Sequence, residues 1–282
     1  MLFLITGVSS GLGRAFAQKA LDAGHTVVGT VRRTDDIAAF EALAPGTAHA
    51  RQLDVIDDDA VFSVVGEVET RVGPIDVLIA NAGYGHEGAF EESPLSELRA
   101  QFAVNVFGVA ATVQAVLPFM RKRRAGHVFA VSSMGGLMTV PGSAYYCGSK
   151  YAVEGILETV AKEVAGFGVH VTIIEPGSFR TDWAGRSMVR TQRSIPDYDT
   201  LFEPIRAARQ AASGNQLGNP AKAAEAVLKV LEAEKPPMHL VLGSDALRLV
   251  MAGRSAVEKD LHEWEELSRS TDFPDGHQIP SN

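Results

Sequence analysis

Tyr146 and Lys150 stand four positions apart in a segment of helical period, which puts a phenol and an ammonium on one helix face. A phenol has a reference pKa of about 10 and is a poor base at neutral pH. A nearby ammonium favours the phenolate, so Lys150 is expected to lower the Tyr146 value. Such a phenol can give a proton to a carbonyl oxygen or take one from an alcohol. The spacing also describes a structural tyrosine beside a solvated lysine, and the pair alone does not separate the two.

A second set of residues suits a phosphate ligand. Thr6-Gly7-Val8-Ser9-Ser10-Gly11-Leu12-Gly13 follows an apolar β-branched run and opens a helical one. Glycines let the backbone turn tightly and approach a ligand closely. The unpaired amides of a helix start then face a pyrophosphate, and the Ser9 and Ser10 hydroxyls add donors. A glycine-rich turn that only packs well has the same composition. At the end of the second apolar run, Thr30-Val31-Arg32-Arg33 offers guanidiniums where an acid would select NAD. A guanidinium pairs bidentately with a 2′-phosphate, so NADP(H) is favoured, with Arg32 the better placed and Arg33 as readily a solvated residue.

The elements around these residues alternate. Apolar runs at Leu2–Thr6, Thr26–Val31, Ala48–Leu53, Ile75–Ala80, His127–Ser132 and His170–Ile174 read as strands, with His239–Leu242 as a last one. Helical segments lie between them at Leu12–Ala23, Asp35–Leu43, Asp57–Val72, Ser96–Arg123 and Tyr146–Gly166, with Asp57 as an N-cap and Gly24 as a C-cap. The fold expected is α/β: a doubly wound, mostly parallel seven-stranded sheet with helices on both faces, Rossmann-like. Helices Phe202–Ala212 and Ala221–Glu234 follow, with Asp245–Glu266 as one or two terminal helices. The 282 residues then form a single domain: a cofactor-binding and catalytic core (1–178), a substrate loop or lid (179–218), C-terminal helices and the last strand (219–270), and a tail (271–282).

Composition narrows the function. Hydrophobic residues make up 46% and charged residues 21%, which is globular rather than disordered. Lys plus Arg number 26 against 34 for Asp plus Glu, a net charge of −8, which argues against nonspecific nucleic-acid binding. One cysteine excludes an internal disulfide, and eight histidines without ligand spacing predict no metal site. No basic n-region precedes an apolar h-region and no apolar run reaches about 18 residues, so neither a secretory signal nor a membrane span is expected, and a cytoplasmic location is.

The ordered motifs resemble the short-chain dehydrogenase/reductase family over roughly Phe3 to Thr181. The glycine loop matches at Gly7, Gly11 and Gly13 after Thr6. The resemblance implies that Asp54 holds the adenine amino group with Val55 beside the ring. It implies that Asn81-Ala82-Gly83 stabilises the sheet beside the cofactor, and that Pro176-Gly177 and Thr181 flank the nicotinamide. The catalytic residues it implies are Asn105, Ser133, Tyr146 and Lys150. In that reading Tyr146 exchanges the proton, Ser133 hydrogen-bonds the same oxygen, and Lys150 also binds the nicotinamide ribose. Asn105 would hold a water linking Lys150 to solvent. Ser10 stands where some NADP-using members carry a basic residue, which leaves the phosphate to Arg32. A homodimer or homotetramer through the helices at Ser96–Arg123 and Tyr146–Gly166 is also implied.

The substrate expected is a medium-sized apolar ketone, aldehyde or secondary alcohol. Ser133, Met134, Leu137, Tyr146, Phe179 and Trp183 would touch it, with Tyr84 and His86 at the rim. Arg180, Arg186, Arg190 and Arg193 leave open a substrate carboxylate. A non-catalytic NADP(H)-binding regulatory protein on the same fold is the competing reading.

Overall fold

The computed structural model describes residues 1–212, 214–274, 276 and 277. The expected tail from Thr271 therefore lies partly outside the described residues. Seven parallel strands form one sheet in the order β3-β2-β1-β4-β6-β7-β9. They are β1 (Leu2–Thr6), β2 (Thr26–Val31), β3 (Ala48–Gln52), β4 (Val77–Ala80), β6 (Gly126–Val131), β7 (Val169–Pro176) and β9 (His239–Leu242). A separate parallel pair, β5 (Gly85–Glu87) and β8 (Met188–Arg190), lies outside it. The chain works outward from β1 on one side and then on the other, which is the doubly wound order expected.

Both faces of the sheet are buried because alternate strand residues are apolar on each. Leu2 and Leu4 of β1 join a core with α3 (Asp58–Glu67), α5 (Gly108–Arg123) and α6 (Ala144–Val164). Phe3 and Ile5 join a second core with α1 (Gly11–Asp22), α2 (Asp35–Glu41) and α8 (Pro220–Leu231). The remaining helices are α4 (Leu95–Phe102), α7 (Asp199–Ala212), α9 (Ser244–Glu263) and α10 (Glu265–Arg269). The run Leu95–Arg123 has the length and composition to cross a membrane, but half of its most apolar 18-residue stretch is buried inside the domain, where apolar residues such as Val109, Val113 and Val116 serve the core.

Local sequence explains several boundaries. The Asp57 carboxylate accepts from the Ala60 amide at 2.9 Å and starts α3. Gly24, at φ +80°, follows α1. Two expectations need correction. The segment 96–123 is not one α-helix, because a π turn at Ala103–Phe107 separates α4 from α5. A second π turn, Val68–Val72, ends the helix that begins at α3. A π turn adds one residue without disturbing the apolar spacing by much, so periodicity passes over it. The pair β5–β8 was also unexpected, since three-residue strands carrying His, Glu and Arg lack the usual strand composition.

Replacing the α3 cap should be felt globally. Asp57→Ala is expected to lower the unfolding free energy by about 1 kcal/mol, read from a urea denaturation curve with unchanged slope. An unshifted midpoint would show that the cap is replaced by solvent.

Candidate active site

The carboxyl edges of β1 and β4 are tied together by two side chains. Asn81 Nδ2 donates to the carbonyls of Thr6 (2.8 Å) and Gly7 (3.0 Å). Thr6 Oγ1 accepts from the amides of Asn81 (2.9 Å) and Ala82 (3.0 Å). The chain then turns at Gly7 with φ +74°. Helix α1 packs directly on that turn: a Cβ on Gly13 would stand 2.3 Å from the Gly7 carbonyl oxygen and 2.4 Å from Asn81 Nδ2. Thr6 and Asn81 are thus spent on the scaffold. The loop itself is open. Ser9 is exposed, and the Ser10 side chain before α1 makes no cap hydrogen bond. A Cβ on Gly11 would meet nothing nearer than Thr181, at 4.0 Å. The amides of Gly11, Leu12 and Gly13 belong to the first turn of α1, where donors have no intrahelical partner. The residues present fit a pyrophosphate.

At the end of β2, Arg32 and Arg33 are both exposed. Arg33 pairs with Asp35 at 3.0 Å, and that carboxylate raises its pKa further. The Arg32 guanidinium makes no hydrogen bond or ion pair among the described residues, while its carbonyl is held by Gln52 Nε2 at 3.1 Å. Arg32 is the guanidinium with its charge uncommitted. Asp54 is exposed beyond β3 and bonds only the local Ile56 amide, at 3.3 Å. Val55 is buried and packs where Gly108 opens α5, as much a core residue as a wall.

Ser133 follows β6, and Tyr146 and Lys150 lie in the first two turns of α6. The Ser133 hydroxyl accepts from the Gly135 amide at 3.0 Å, and the Tyr146 ring lies beside it, near enough for the hydroxyl to lower the phenol's pKa. Lys150 is buried, donates to the Val131 carbonyl at 2.8 Å, and stands 5.7 Å from the Tyr146 ring centroid. Burial pushes the Lys150 pKa down to about 8, against the pull of Glu154 one turn further on. The expected lowering of Tyr146 is corrected here. Burial raises the phenol above its ordinary value, and the Ser133 hydroxyl offsets only part of the rise. Desolvation wins because the ammonium is aimed at the Val131 carbonyl.

Asn105 lies on the π turn and is fully buried. Its Oδ1 accepts from the Tyr84 amide (3.0 Å), and its Nδ2 donates to the Tyr84 carbonyl (2.9 Å) and to Ser149 Oγ (3.2 Å). Three of the four hydrogen-bonding positions of the amide are thus taken by protein, with one acceptor position left on Oδ1. Gly83 stands close against it: a Cβ there would lie 3.1 Å from Asn105 Oδ1. Ser149 in turn donates to the Tyr146 carbonyl at 2.7 Å, so Asn105 reaches the start of α6 through one hydroxyl.

The segment after β7 closes over these groups. The Trp183 ring lies 5.2 Å from the Tyr146 ring, and Thr181 Oγ1 accepts from the Trp183 amide at 3.3 Å. Met134 and Leu137 are half-buried after Ser133. Phe179 instead packs on the second core and over Gly218, where a Cβ would meet its ring at 2.6 Å. His86 is not at a rim. It is buried, 2.5 Å from Glu97 and 3.2 Å from Thr191. The four arginines of the lid have protein partners: Arg180 the Gln216 carbonyl, Arg186 Asp182, Arg190 Glu87, and Arg193 Glu92 and Asp199. An apolar cleft of about 520 Å³, lined by Val140, Pro141, Ala144, Cys147 and Tyr151 among others, runs along the adjacent stripe of α6 and contains neither Tyr146 nor Lys150.

One positioning residue escaped sequence reasoning. Asp245, at the start of α9, accepts from the Ser178 amide at 2.8 Å and lies against Gly177, where any Cβ would stand 2.3 Å from its Oδ1. It holds the Pro176-Gly177 turn from a part of the chain the motifs do not reach.

Comparison with known proteins agrees with this arrangement. Residues 2–191 match the family model described as short chain dehydrogenase. A 3-ketodihydrosphingosine reductase of Bacteroides thetaiotaomicron is 35% identical over 86% of this chain and 87% of its own length. An NADPH-dependent 3-dehydrocapnine reductase of Ornithobacterium rhinotracheale is 35% identical over 72% of this chain and 74% of its own. The crystal structure of a short-chain dehydrogenase from Streptomyces avermitilis superposes with a TM-score of 0.90 at 42% identity, covering 96% of this chain and 99% of that one. With the doubly wound sheet, the open glycine turn and the Ser133–Tyr146–Lys150 grouping in place, the chain belongs to the short-chain dehydrogenase family.

Proposed function

We propose that this oxidoreductase exchanges hydride between NADP(H) and a medium-sized apolar ketone, aldehyde or secondary alcohol. The carrying observation is that Ser133, Tyr146 and Lys150 gather at the sheet edge where the glycine loop opens. The nicotinamide, when bound, supplies or accepts the hydride. The pyrophosphate would be held by the backbone from Ser9 to Gly13, the 2′-phosphate by Arg32, the adenine end by Asp54 and Val55, and the nicotinamide end by Pro176, Gly177 and Thr181, with Ala82 and Gly83 beside it.

The proton is the chain's own contribution. A phenol held above its ordinary pKa stays protonated at neutral pH and is ready to donate to a carbonyl oxygen. Ser133 donates a hydrogen bond to the same oxygen and stabilises the charge that develops there. Lys150 replenishes the proton and binds the ribose. Asn105 acts as a positioning residue through Ser149. This favours reduction at neutral pH, in keeping with the reductase names of the two relatives, one of them NADPH-dependent. Met134, Leu137 and Trp183 supply the apolar contacts, and the lid arginines are already paired, which speaks against a substrate carboxylate. A homodimer or homotetramer through α5 and α6 accords with the exposure of Phe107, Tyr151 and Ile156. A cytoplasmic setting accords with the single free thiol, Cys147.

A panel of apolar ketones that includes 3-ketodihydrosphingosine, followed by NADPH absorbance, tests the activity. Tyr146→Phe is expected to lower kcat by about 10²–10⁴ while NADPH still binds. A parent that binds NADPH and turns over nothing across the panel would favour a nucleotide-binding regulator. Arg32→Ala is expected to weaken NADPH binding by about ten- to a hundredfold, the loss of a charged hydrogen bond, with little effect on NADH. An unchanged preference would remove Arg32 from the phosphate. The pH profile has a defined sign. Lys150 is charged below about 8 and neutral above it, so kcat/KM for reduction should fall as pH rises through that value. A profile flat well into alkaline pH would contradict the role given to the ammonium.

A further inference from the structure

The outer end of the sheet carries a group of ionisable side chains that the reaction does not use. Ile173 pairs with His239 and Glu175 with Val241, so all four project to one face of β7 and β9. Ile173 packs in the core with Val153 and Leu157, which makes this the face covered by α6. Glu154 and Glu158, four residues apart on α6, therefore look down on Glu175 and His239. His239 Nδ1 lies 2.8 Å from Glu175 Oε1 and 3.7 Å from Glu154 Oε2, and its Nε2 lies 3.8 Å from Glu158 Oε1. One ligand atom from each of Glu154, Glu158 and His239 falls within 4.8 Å of the others.

A cluster of acids alone would say little. Glu154, however, is only 3% exposed, and among the described residues neither of its carboxylate oxygens has a donor within bonding distance, the Ser132 hydroxyl beside it being likewise unpaired. Glu175 is wholly buried, and its Oε2 is likewise unpartnered. Buried carboxylate oxygens without donors are costly, and a cation among them removes the cost. Bond lengths of about 2.0–2.2 Å to nitrogen and oxygen place ligands of a common ion roughly 3–4.4 Å apart, close to the spacing seen.

We propose that Glu154, Glu158 and His239 bind a divalent transition ion of the Mn²⁺ or Zn²⁺ class at the β7–β9 edge, one helical turn beyond Lys150. Glu175 holds the imidazole through Nδ1, which turns Nε2 toward the ion, as carboxylates behind metal-bound histidines do. Carboxylates suit Mn²⁺, and the imidazole favours borderline ions over Mg²⁺. The side chains of Glu158 and His239 are 43% and 36% exposed, so an ion enters from solvent without opening the core. The site stands independently of the oxidoreductase reading.

The full chain, stripped with EDTA and dialysed, is titrated with MnCl₂ by loss of the aqueous Mn²⁺ EPR signal and with ZnCl₂ against a chromogenic chelator. The expected result is one ion bound per chain and a thermal midpoint that rises with it. Glu158→Gln and His239→Gln should each weaken binding by about tenfold or more while keeping the parent's circular dichroism. No binding by the parent, or parent-like affinity in either folded variant, overturns the site. Should His239→Gln lose its fold, Glu158→Gln on the exposed rim decides alone.

Discussion

The bonds from Asn81 to the carbonyls of Thr6 and Gly7 hold the site open. They fasten β4 to β1 at the point where the chain leaves the sheet for α1. With these side chains inside the scaffold, the Gly7 and Val8 amides donate to the Thr30 carbonyl, and the first amides of α1 are left without an intrahelical partner. Any Cβ at Gly13 would strike both the carbonyl and the amide that make this junction. Strand tie, turn and helix start are one packed unit.

The opposite requirement governs the lysine of the proposed site. Lys150 is an ammonium in a place that disfavours charge, satisfied by one carbonyl and by the distant pull of Glu154. Burial lowers its affinity for a proton while raising that of the neighbouring phenol. The two groups start from nearly equal acidity, and burial drives them apart. Neither shift follows from the four-residue spacing, because spacing records proximity and says nothing of solvent.

This division runs through the whole chain. The glycine loop was legible because each requirement is local: a positive φ at Gly7, a close approach at Gly13. The seven strands were legible because both faces of the sheet are apolar. The cap at Asp57 was legible because the amide that donates to it lies three residues away. What escaped depends on partners far along the chain. Asn105 is tied to Tyr84 and Ser149, which no motif reports. Asp245 supports Gly177 across 68 residues of sequence. Glu154, Glu175 and His239 come from three elements and meet only once β9 is laid beside β7. The π turn that carries Asn105 has nearly the same apolar pattern as the helix it interrupts.

The parallel pairing of Gly85–Glu87 with Met188–Arg190 changes what admission of a substrate can mean. The strap over Tyr146 is stitched to the segment after β4, and Thr191 is pinned beside His86 and Glu97. It cannot swing away as a rigid flap without unzipping backbone bonds along its far side. The part of the strap over the phenol is the Trp183 indole, 5.2 Å from the Tyr146 ring, so a change of that one side chain leaves the backbone pairing behind it in place.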